Sequence, residues 1–177
     1  KKKTMHFLPY KEFLSIHQNV ELFNQLEIKK KYVVLQIKTK AANATFSPVD
    51  VNTYLKVIEN IQHKDMQILF MGRENMPTIF KKFCIINYAG SKYTNSLNDF
   101  ILVKSAHAVI SSASGFNEIA TQINVPQLIL NNWNYLYAQG EYNLIYPSKL
   151  ILKDRVLTIS EQIKYGLNYY NVKNNFQ

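Results

Sequence analysis

AHAVISSASGFNEIATQINVPQLILNN, residues 106–132, predicts a buried strand, a turn, a helix and a second strand in that order. The strands cover His107–Ser111 and Pro126–Leu130, the turn is Ser112–Gly115, and the helix covers Phe116–Ile123. A strand that turns directly into a helix leaves free backbone N–H groups at the helix start, where the helix dipole places partial positive charge. This turn therefore suits a phosphate group.

Glu118 lies about one turn into this predicted helix, where its carboxylate could accept hydrogen bonds from ribose hydroxyls. The sequence contains neither GxGxxG nor GxxxxGK[ST], so no complete glycine fingerprint supports a bound nucleotide. The spacing alone equally fits a well-capped strand-to-helix turn with nothing bound. Both interpretations stay open on these residues.

The composition indicates a globular protein. The chain has 177 residues, of which 47% are apolar and 19% charged, and this length suits one domain with a substantial core. It begins with three lysines rather than Met, and we expect it to be part of a longer protein. No apolar run approaches the roughly 18 residues of a membrane span. Cys84 is the only cysteine, which excludes an internal disulfide and favours a reducing, cytoplasmic compartment.

The formal net charge is +9, which favours an anionic partner. The lysines are scattered, apart from clusters at Lys1–Lys3 and Lys29–Lys31. Solvated surface is the simplest interpretation of such clusters. Peripheral contact with the inner face of a membrane is the alternative that we keep. The Arg-rich, aromatic-interleaved signatures of RNA binding are missing, so we expect no specific nucleic-acid partner.

Three further apolar runs predict strands, at Tyr32–Ile37, Met66–Met71 and Cys84–Tyr88. Strands that alternate with helical patterns predict an α/β fold, an open, doubly wound, Rossmann-like parallel sheet of about five strands. In the order 3-2-1-4-5, the loops 38–47 and 111–115 meet where the strand order reverses, the place where such sheets bind ligands. Arg73 follows the second strand, and Asn131 and Asn132 follow the fifth, at the same edge.

The helical patterns divide the chain into a lead-in, a domain and a tail. We expect residues 1–31 to form a connector helix and lead-in, residues 32–170 the Rossmann-like domain, and residues 171–177 a frayed tail. The predicted helices cover Lys11–Ile28, Ser47 to Gln62 with Pro48 at the first position, a short stretch to Lys82, Asn95–Lys104, and Glu161–Tyr169 with Ser160 as its cap.

Five segments resemble, in their order and spacing, the C-terminal, donor-binding half of a bacterial GT-B glycosyltransferase. Asn87 stands where that family has Asp, and Phe70 stands where it has Arg, which points to an altered donor choice. The five segments are Phe70–Arg73, Ile86–Tyr93, Asp99–Leu102, Ser112–Gly115 and Pro126–Asn131.

The resemblance implies transfer of a sugar from a nucleotide-sugar donor to a glycan or another surface polymer. Such chemistry needs preorganised dipoles at the departing diphosphate and no obligatory metal or cofactor. The catalytic base would lie on a preceding N-terminal domain, so we expect this chain alone to be inactive. The resemblance places Ser112, Ser114 and Gly115 at the diphosphate, Glu118 at the ribose and Arg73 at a phosphate. The complete set of candidate binding residues is Arg73, Ser112, Ser114, Gly115, Glu118, Asn131 and Asn132.

Other functions remain open alternatives: a nucleotide-sugar epimerase or hydrolase of the same two-domain build, or a non-enzymatic nucleotide-binding domain. A metal site is not expected, because the four histidines share no ligand spacing. No GxSxG motif marks a nucleophile. Asp99 is either catalytic or, as we favour, a helix-start residue that interacts with the dipole. The histidines are His6, His17, His63 and His107.

Overall fold

The computed structural model describes residues 19–38, 49–112, 114–132, 143–147, 151–152 and 155–164. The strands are β1 Tyr32–Gln36, β2 Gln67–Met71, β3 Ile85–Asn87, β4 Ala108–Ser112, β5 Gln127–Asn132, β6 Asn143–Pro147, β7 Ile151–Leu152 and β8 Arg155–Val156. The α-helices are α1 Val20–Gln25, α2 Leu55–His63, α3 Ser96–Lys104, α4 Phe116–Gln122 and α5 Ile159–Lys164. Two 3₁₀ turns cover Val51–Tyr54 and Thr78–Lys82.

Strands β1 to β6 form one parallel sheet in the order β3-β2-β1-β4-β5-β6. The predicted open, doubly wound α/β sheet is therefore confirmed, including the reversal of strand order between β1 and β4. Leu35 marks the centre of the sheet, because it is in register with Phe70 of β2 and Ile110 of β4. A separate antiparallel pair joins β7 to β8.

The sheet has six strands rather than about five, because β6 extends it beyond β5. The sequence around β6 reads only as a short extended piece. Leu144 in this strand is 67% exposed, so an apolar residue at this position does not report burial. Its place in the sheet comes from backbone pairing with β5, which a hydrophobic pattern does not reveal.

Apolar side chains cover both faces of the sheet. Along β1, Tyr32 and Val34 point to one face and Val33 and Leu35 to the other, as the period of a strand requires. The first face packs against α1, α3 and α4, and the second against α2 and the two 3₁₀ turns. Because β1 is buried along its whole length, its near-continuous apolar sequence marks the middle of the structure.

Three helix starts or ends differ from the sequence predictions. Helix α1 ends at Gln25, before the predicted Ile28, because Glu27 adopts a left-handed backbone with φ of 55°. The described part of the second helical segment begins at Val51, with Asp50 as the cap. The residues predicted to start this segment, Ser47–Pro48, and the predicted start of α1, Lys11, lie outside the described residues.

Helix α5 is capped by Thr158 and not by the predicted Ser160, which lies inside the helix. The Glu161 backbone N–H donates to Thr158 Oγ1 at 3.3 Å, and the Thr158 N–H donates back to Glu161 Oε2 at 2.8 Å. This reciprocal pair is a capping box. Together with Arg155, it lowers the pKa of Glu161 to about 2. The predicted end of this helix at Tyr169 lies outside the described residues.

No described helix is long and apolar enough to cross a membrane.

Gly72 ends β2 in a conformation that a residue with a side chain rarely adopts, with φ of 119°. We expect Gly72→Ala to lower the free energy of unfolding by about 1–3 kcal/mol, because alanine must adopt this strained backbone. Gly115→Ala is the matched control. Gly115 has φ of −59° and no atom within 4 Å of an added Cβ, so its replacement costs less than about 1 kcal/mol. Urea unfolding of both variants measures the difference, and equal losses would contradict a conformational role for Gly72.

Candidate functional site

A cleft of about 690 Å³ opens at the carboxyl edge of the sheet, where β1, β2 and β4 end. This is the reversal point of the strand order, so the cleft occupies the position that the topology predicts for a ligand. Four segments supply its walls: the end of β1, the loop after β2, the start of α3, and the β4–α4 turn. The lining residues are Gln36, Lys38, Gly72, Arg73, Glu74, Thr94, Asn95, Ser96, Asp99, Ser114, Gly115, Phe116 and Ile119.

The β4–α4 turn is held by hydrogen bonds within itself. The Ser114 N–H donates to Asn117 Oδ1 at 2.8 Å, the Asn117 N–H donates to Ser114 O at 3.1 Å, and the Phe116 N–H donates to Ser114 Oγ at 3.3 Å. Among the described residues, the Gly115 N–H has no partner. The sequence predicts several free amides here, and the turn leaves Gly115 as its available donor beside the cleft.

Asn117 holds this turn in place through hydrogen bonds of its side chain. It is buried, and its Nδ2 donates to Ser111 Oγ and, at 3.2 Å, to Gln127 Oε1 on β5. Gln127 in turn donates to Thr121 Oγ1 at 2.8 Å and to Asn143 Oδ1 on β6 at 3.1 Å. Buried polar groups that satisfy one another in this way hold a local structure in one arrangement. This network was not predicted from the sequence, although polar residues at apolar positions are its signal.

Ser112 does not line the cleft. It is buried, and its Oγ accepts a hydrogen bond from the Lys38 N–H at 2.9 Å, which ties β4 to the end of β1. Ser114 lies at the cleft wall, where its Oγ donates to Gln36 Oε1 at 3.0 Å. The two serines of the predicted phosphate turn therefore have different positions, one inside the sheet and one beside the cavity.

The cleft brings together three of the seven candidate residues, namely Arg73, Ser114 and Gly115. Glu118 is exposed in the first turn of α4 and is not part of the cleft wall. Asn131 and Asn132 are the last residues of β5, near the same edge of the sheet. The contacts predicted for all seven with a ligand stay predictions.

Lys38 and Arg73 place two cationic side chains on the cleft, after β1 and β2 respectively. Neither makes an ion pair within 4.0 Å in the described part of the chain. Arg73 was predicted as a phosphate contact from the sequence, whereas Lys38 was not. The available signal was the position of Lys38, directly after the central strand and at the start of the loop assigned to the reversal point.

The opposite wall carries a carboxylate, Asp99, in the first turn of α3. The hydroxyl of the fully buried Tyr88 donates to Asp99 Oδ1 at 2.7 Å and accepts from the Asn95 N–H at 3.3 Å. Burial raises the pKa of Asp99 above its ordinary value of 3.8, and this effect outweighs the lowering by the Tyr88 hydrogen bond and by the charge of Arg73. Burial likewise raises the pKa of Tyr88.

In the described part of the chain, no group of three or more His, Cys, Asp or Glu side chains could hold a metal ion. The polar groups at the cleft are instead two cations, hydroxyls, amides and the carboxylates of Glu74 and Asp99. This set suits an anionic ligand that also carries hydrogen-bonding groups.

No protein-family model matches the sequence, and no curated protein matches it. Solved structures do match. E. coli ADP-heptose lipopolysaccharide heptosyltransferase II aligns with a TM-score of 0.58 at 15% identity over 84% of this chain. The structural neighbours are heptosyltransferases. The likeness shows a glycosyltransferase-type fold, and the chain spans 46% of the length of that enzyme.

Two structures of the dodecameric iron-containing glycosyltransferase TibC also align, one from enterotoxigenic E. coli H10407 and one in complex with ADP-D-beta-D-heptose. Each has a TM-score of 0.46 and 13% identity, and each alignment covers 66% of this chain and 32% of TibC.

Because the pKa of Asp99 is raised, we expect the free energy of unfolding of the chain to depend on the ionisation of this residue. A carboxyl group with a raised pKa in the folded state binds protons more tightly there, so its contribution to stability falls as pH rises from 3.8 through the raised value. Asp99→Asn removes this ionisation and keeps an oxygen for the Tyr88 hydroxyl. We expect the stability of Asp99→Asn relative to the unmodified chain to increase with pH across this interval and then level off.

Urea unfolding at closely spaced pH values checks the expectation, with Arg73→Gln as a second variant. Because Arg73 lowers the pKa of Asp99, its loss extends the affected interval to higher pH. A constant stability difference between Asp99→Asn and the unmodified chain at all pH values would contradict a raised pKa.

Proposed function

We propose that this chain is the donor-binding domain of a glycosyltransferase, which binds a nucleoside-diphosphate sugar for transfer to a glycan-type acceptor. The observation that carries the proposal is the cleft at the strand reversal point, lined by Lys38, Arg73 and Gly115, whose amide has no partner among the described residues. The glycosyltransferase-type fold supports the same reaction class.

Electrostatics supports a diphosphate in this cleft. Sugar transfer leaves a nucleoside diphosphate, and negative charge builds up on its phosphate oxygens as the glycosidic bond breaks. Fixed cations and backbone donors that already face this position stabilise the charge without reorganising. Lys38 and Arg73 extend from neighbouring strands, so a diphosphate beside Gly115 could contact both side chains.

The other candidate binding residues from the sequence are assigned to positions around this diphosphate. Ser112 supports the site through its hydrogen bond with the Lys38 backbone, and Ser114 and Gly115 face the ligand. We assign Glu118 to the ribose, reached from the exposed first turn of α4. Asn131 and Asn132, the last two residues of β5, are assigned to the same edge of the sheet. A metal is not part of this proposal.

The acceptor site and the catalytic base would belong to a second domain. The chain corresponds to 46% of heptosyltransferase II, so a complete transferase of this build requires further chain. We propose that this domain works in the cytoplasm, close to the membrane. The exposed lysines Lys29 and Lys31 beside β1 then contact anionic lipid, while Lys30 pairs with Asp65.

The proposal predicts the effect of neutralising the cleft. Lys38→Gln and Arg73→Gln should each weaken binding of nucleoside diphosphates and of inorganic diphosphate by about 10-fold, since each removes a charge-assisted contact with phosphate. Lys64→Gln is the matched control, because Lys64 is exposed after α2 and is not part of the cleft wall. Calorimetric titration with ADP, GDP, UDP and inorganic diphosphate measures these affinities.

Equal affinities in all three variants would rule out a diphosphate site between Lys38 and Arg73. The products of a longer chain that includes the acceptor domain separate the reaction classes. A glycoside supports transfer, whereas free sugar or an epimer of the donor supports a hydrolase or an epimerase. Sugar transfer by the 177-residue chain alone would contradict the need for a second domain.

A further inference from the structure

Asp99 has an oxygen that no residue in the described part of the chain uses. Its Oδ1 accepts the Tyr88 hydroxyl at 2.7 Å, whereas Oδ2 accepts no hydrogen bond from any described residue. Asp99 lines the cleft and is half-buried, so this carboxylate can be reached from the cavity. The first turn of a helix explains a carboxylate at this position, but it does not explain why the carboxylate faces the cleft and carries the cost of partial burial.

Tyr88 fixes the direction of this carboxylate. The tyrosine is fully buried, so its hydroxyl cannot follow a moving side chain. The loop between β3 and α3 closes around it, because Thr94 Oγ1 donates to Tyr88 O at 3.0 Å and the Asn95 N–H donates to the hydroxyl at 3.3 Å. A binding residue that is held by such supporting contacts meets its ligand already oriented.

The surroundings of Asp99 favour a ligand group that carries hydroxyls. Thr94, Asn95 and Ser96 give its wall of the cleft hydroxyl and amide groups. Phe116 and Ile119, both partly buried, add apolar surface from α4. A sugar ring matches this combination, since it has hydroxyl donors at its edge and C–H groups on its faces. A phosphate does not match it, because the Asp99 carboxylate would repel its charge.

We propose that Asp99 is a specificity-determining residue that accepts hydrogen bonds from ligand hydroxyls, on the ribose or on the transferred sugar, and that Tyr88 is its positioning residue. The inference rests on the proposed function, because it places the hydroxyl-bearing part of the nucleotide-sugar beside α3. The cationic residues Lys38 and Arg73 then bind the diphosphate at the strand ends.

Asp99→Asn tests the acceptor directly. The amide oxygen of asparagine can still accept the Tyr88 hydroxyl, but the second position becomes an NH₂ group, which donates instead of accepting. The substitution therefore reverses the hydrogen-bonding character of the position that faces the ligand, with almost no change in shape. Asp65→Asn is the matched control, because Asp65 is exposed at the opposite end of β2, and asparagine tolerates its left-handed backbone.

The experiment titrates the full chain and both variants with the nucleoside diphosphates ADP, GDP and UDP, with UDP-glucose and ADP-glucose, and with inorganic diphosphate. We expect Asp99→Asn to lose about 10-fold or more in affinity for at least one hydroxyl-bearing ligand. Its affinity for inorganic diphosphate should stay within about twofold of the unmodified chain, since diphosphate has no hydroxyl for Asp99 to accept. Asp65→Asn should match the unmodified chain throughout.

Two ligand comparisons identify which hydroxyls Asp99 accepts. If Asp99 accepts the ribose hydroxyls, replacing the ribonucleotide by a 2′,3′-dideoxynucleoside diphosphate lowers the affinity of the unmodified chain more than that of Asp99→Asn, which retains only the ribose contact assigned to Glu118. If Asp99 accepts hydroxyls of the transferred sugar, Asp99→Asn lowers the affinity for the nucleotide-sugar and leaves the affinity for the nucleoside diphosphate unchanged. A loss that persists with the dideoxy ligand in the absence of a sugar would place the contact on the base and overturn the proposal.

Tyr88→Phe keeps the experiment decisive if Asp99→Asn does not fold. It retains the Asp99 carboxylate and removes the hydroxyl that orients it. Nucleotide affinity should therefore fall, while affinity for inorganic diphosphate is kept. Unchanged nucleotide affinity in the folded variants, or an equal loss for inorganic diphosphate, would overturn the role of Asp99 alone. An unmodified chain that binds no nucleotide and no nucleotide-sugar would overturn the proposed function and this inference together.

Discussion

The pairing of β1 with β4 is the constraint on which the rest of the structure depends. Leu35 and Ile110 lie in register at its centre, and the Lys38 N–H donates to Ser112 Oγ at its carboxyl end. This pairing joins the two halves of a parallel sheet whose crossovers leave in opposite directions. Helices therefore diverge from the edge where the two strands end, and a cleft must open between the loops that follow them.

The same pairing determines which side chains line each side of the cleft. Residues after β1 and β2 enter from the sheet, and here they include both cations, Lys38 and Arg73, together with the carboxylate of Glu74. Residues at the start of α3 enter from the side, and they supply hydroxyls, amides and the carboxylate of Asp99. A ligand with a charged end and a hydroxylated end matches this division. The position of both cations at the strand ends, more than any single residue, favours a nucleotide-sugar.

Much of the fold was predictable, because the apolar runs of β1, β2 and β4 report burial on both sides of a sheet. The edge strand β6 was not predictable as part of the sheet, because backbone pairing places it there and the side chain of its residue Leu144 is mostly exposed. Arg73, Ser114 and Gly115 were predicted at the cleft from their positions after strands. Lys38, Asn117 and the Tyr88–Asp99 pair were missed because the sequence marks them only as polar residues near strand ends or at apolar positions, and their roles depend on contacts that form in the fold.

The most direct test of a nucleotide site at this edge is to map its location by NMR. Amide chemical shifts of the chain are followed as ADP, GDP, UDP or their sugar conjugates are added. Binding at the strand reversal point predicts the largest shift changes at Lys38, Arg73 and Gly115, with little change at Lys31 and Gln67 at the opposite edge of the sheet. Saturable changes centred on that opposite edge, or none at the cleft with any of these ligands, would contradict the central claim.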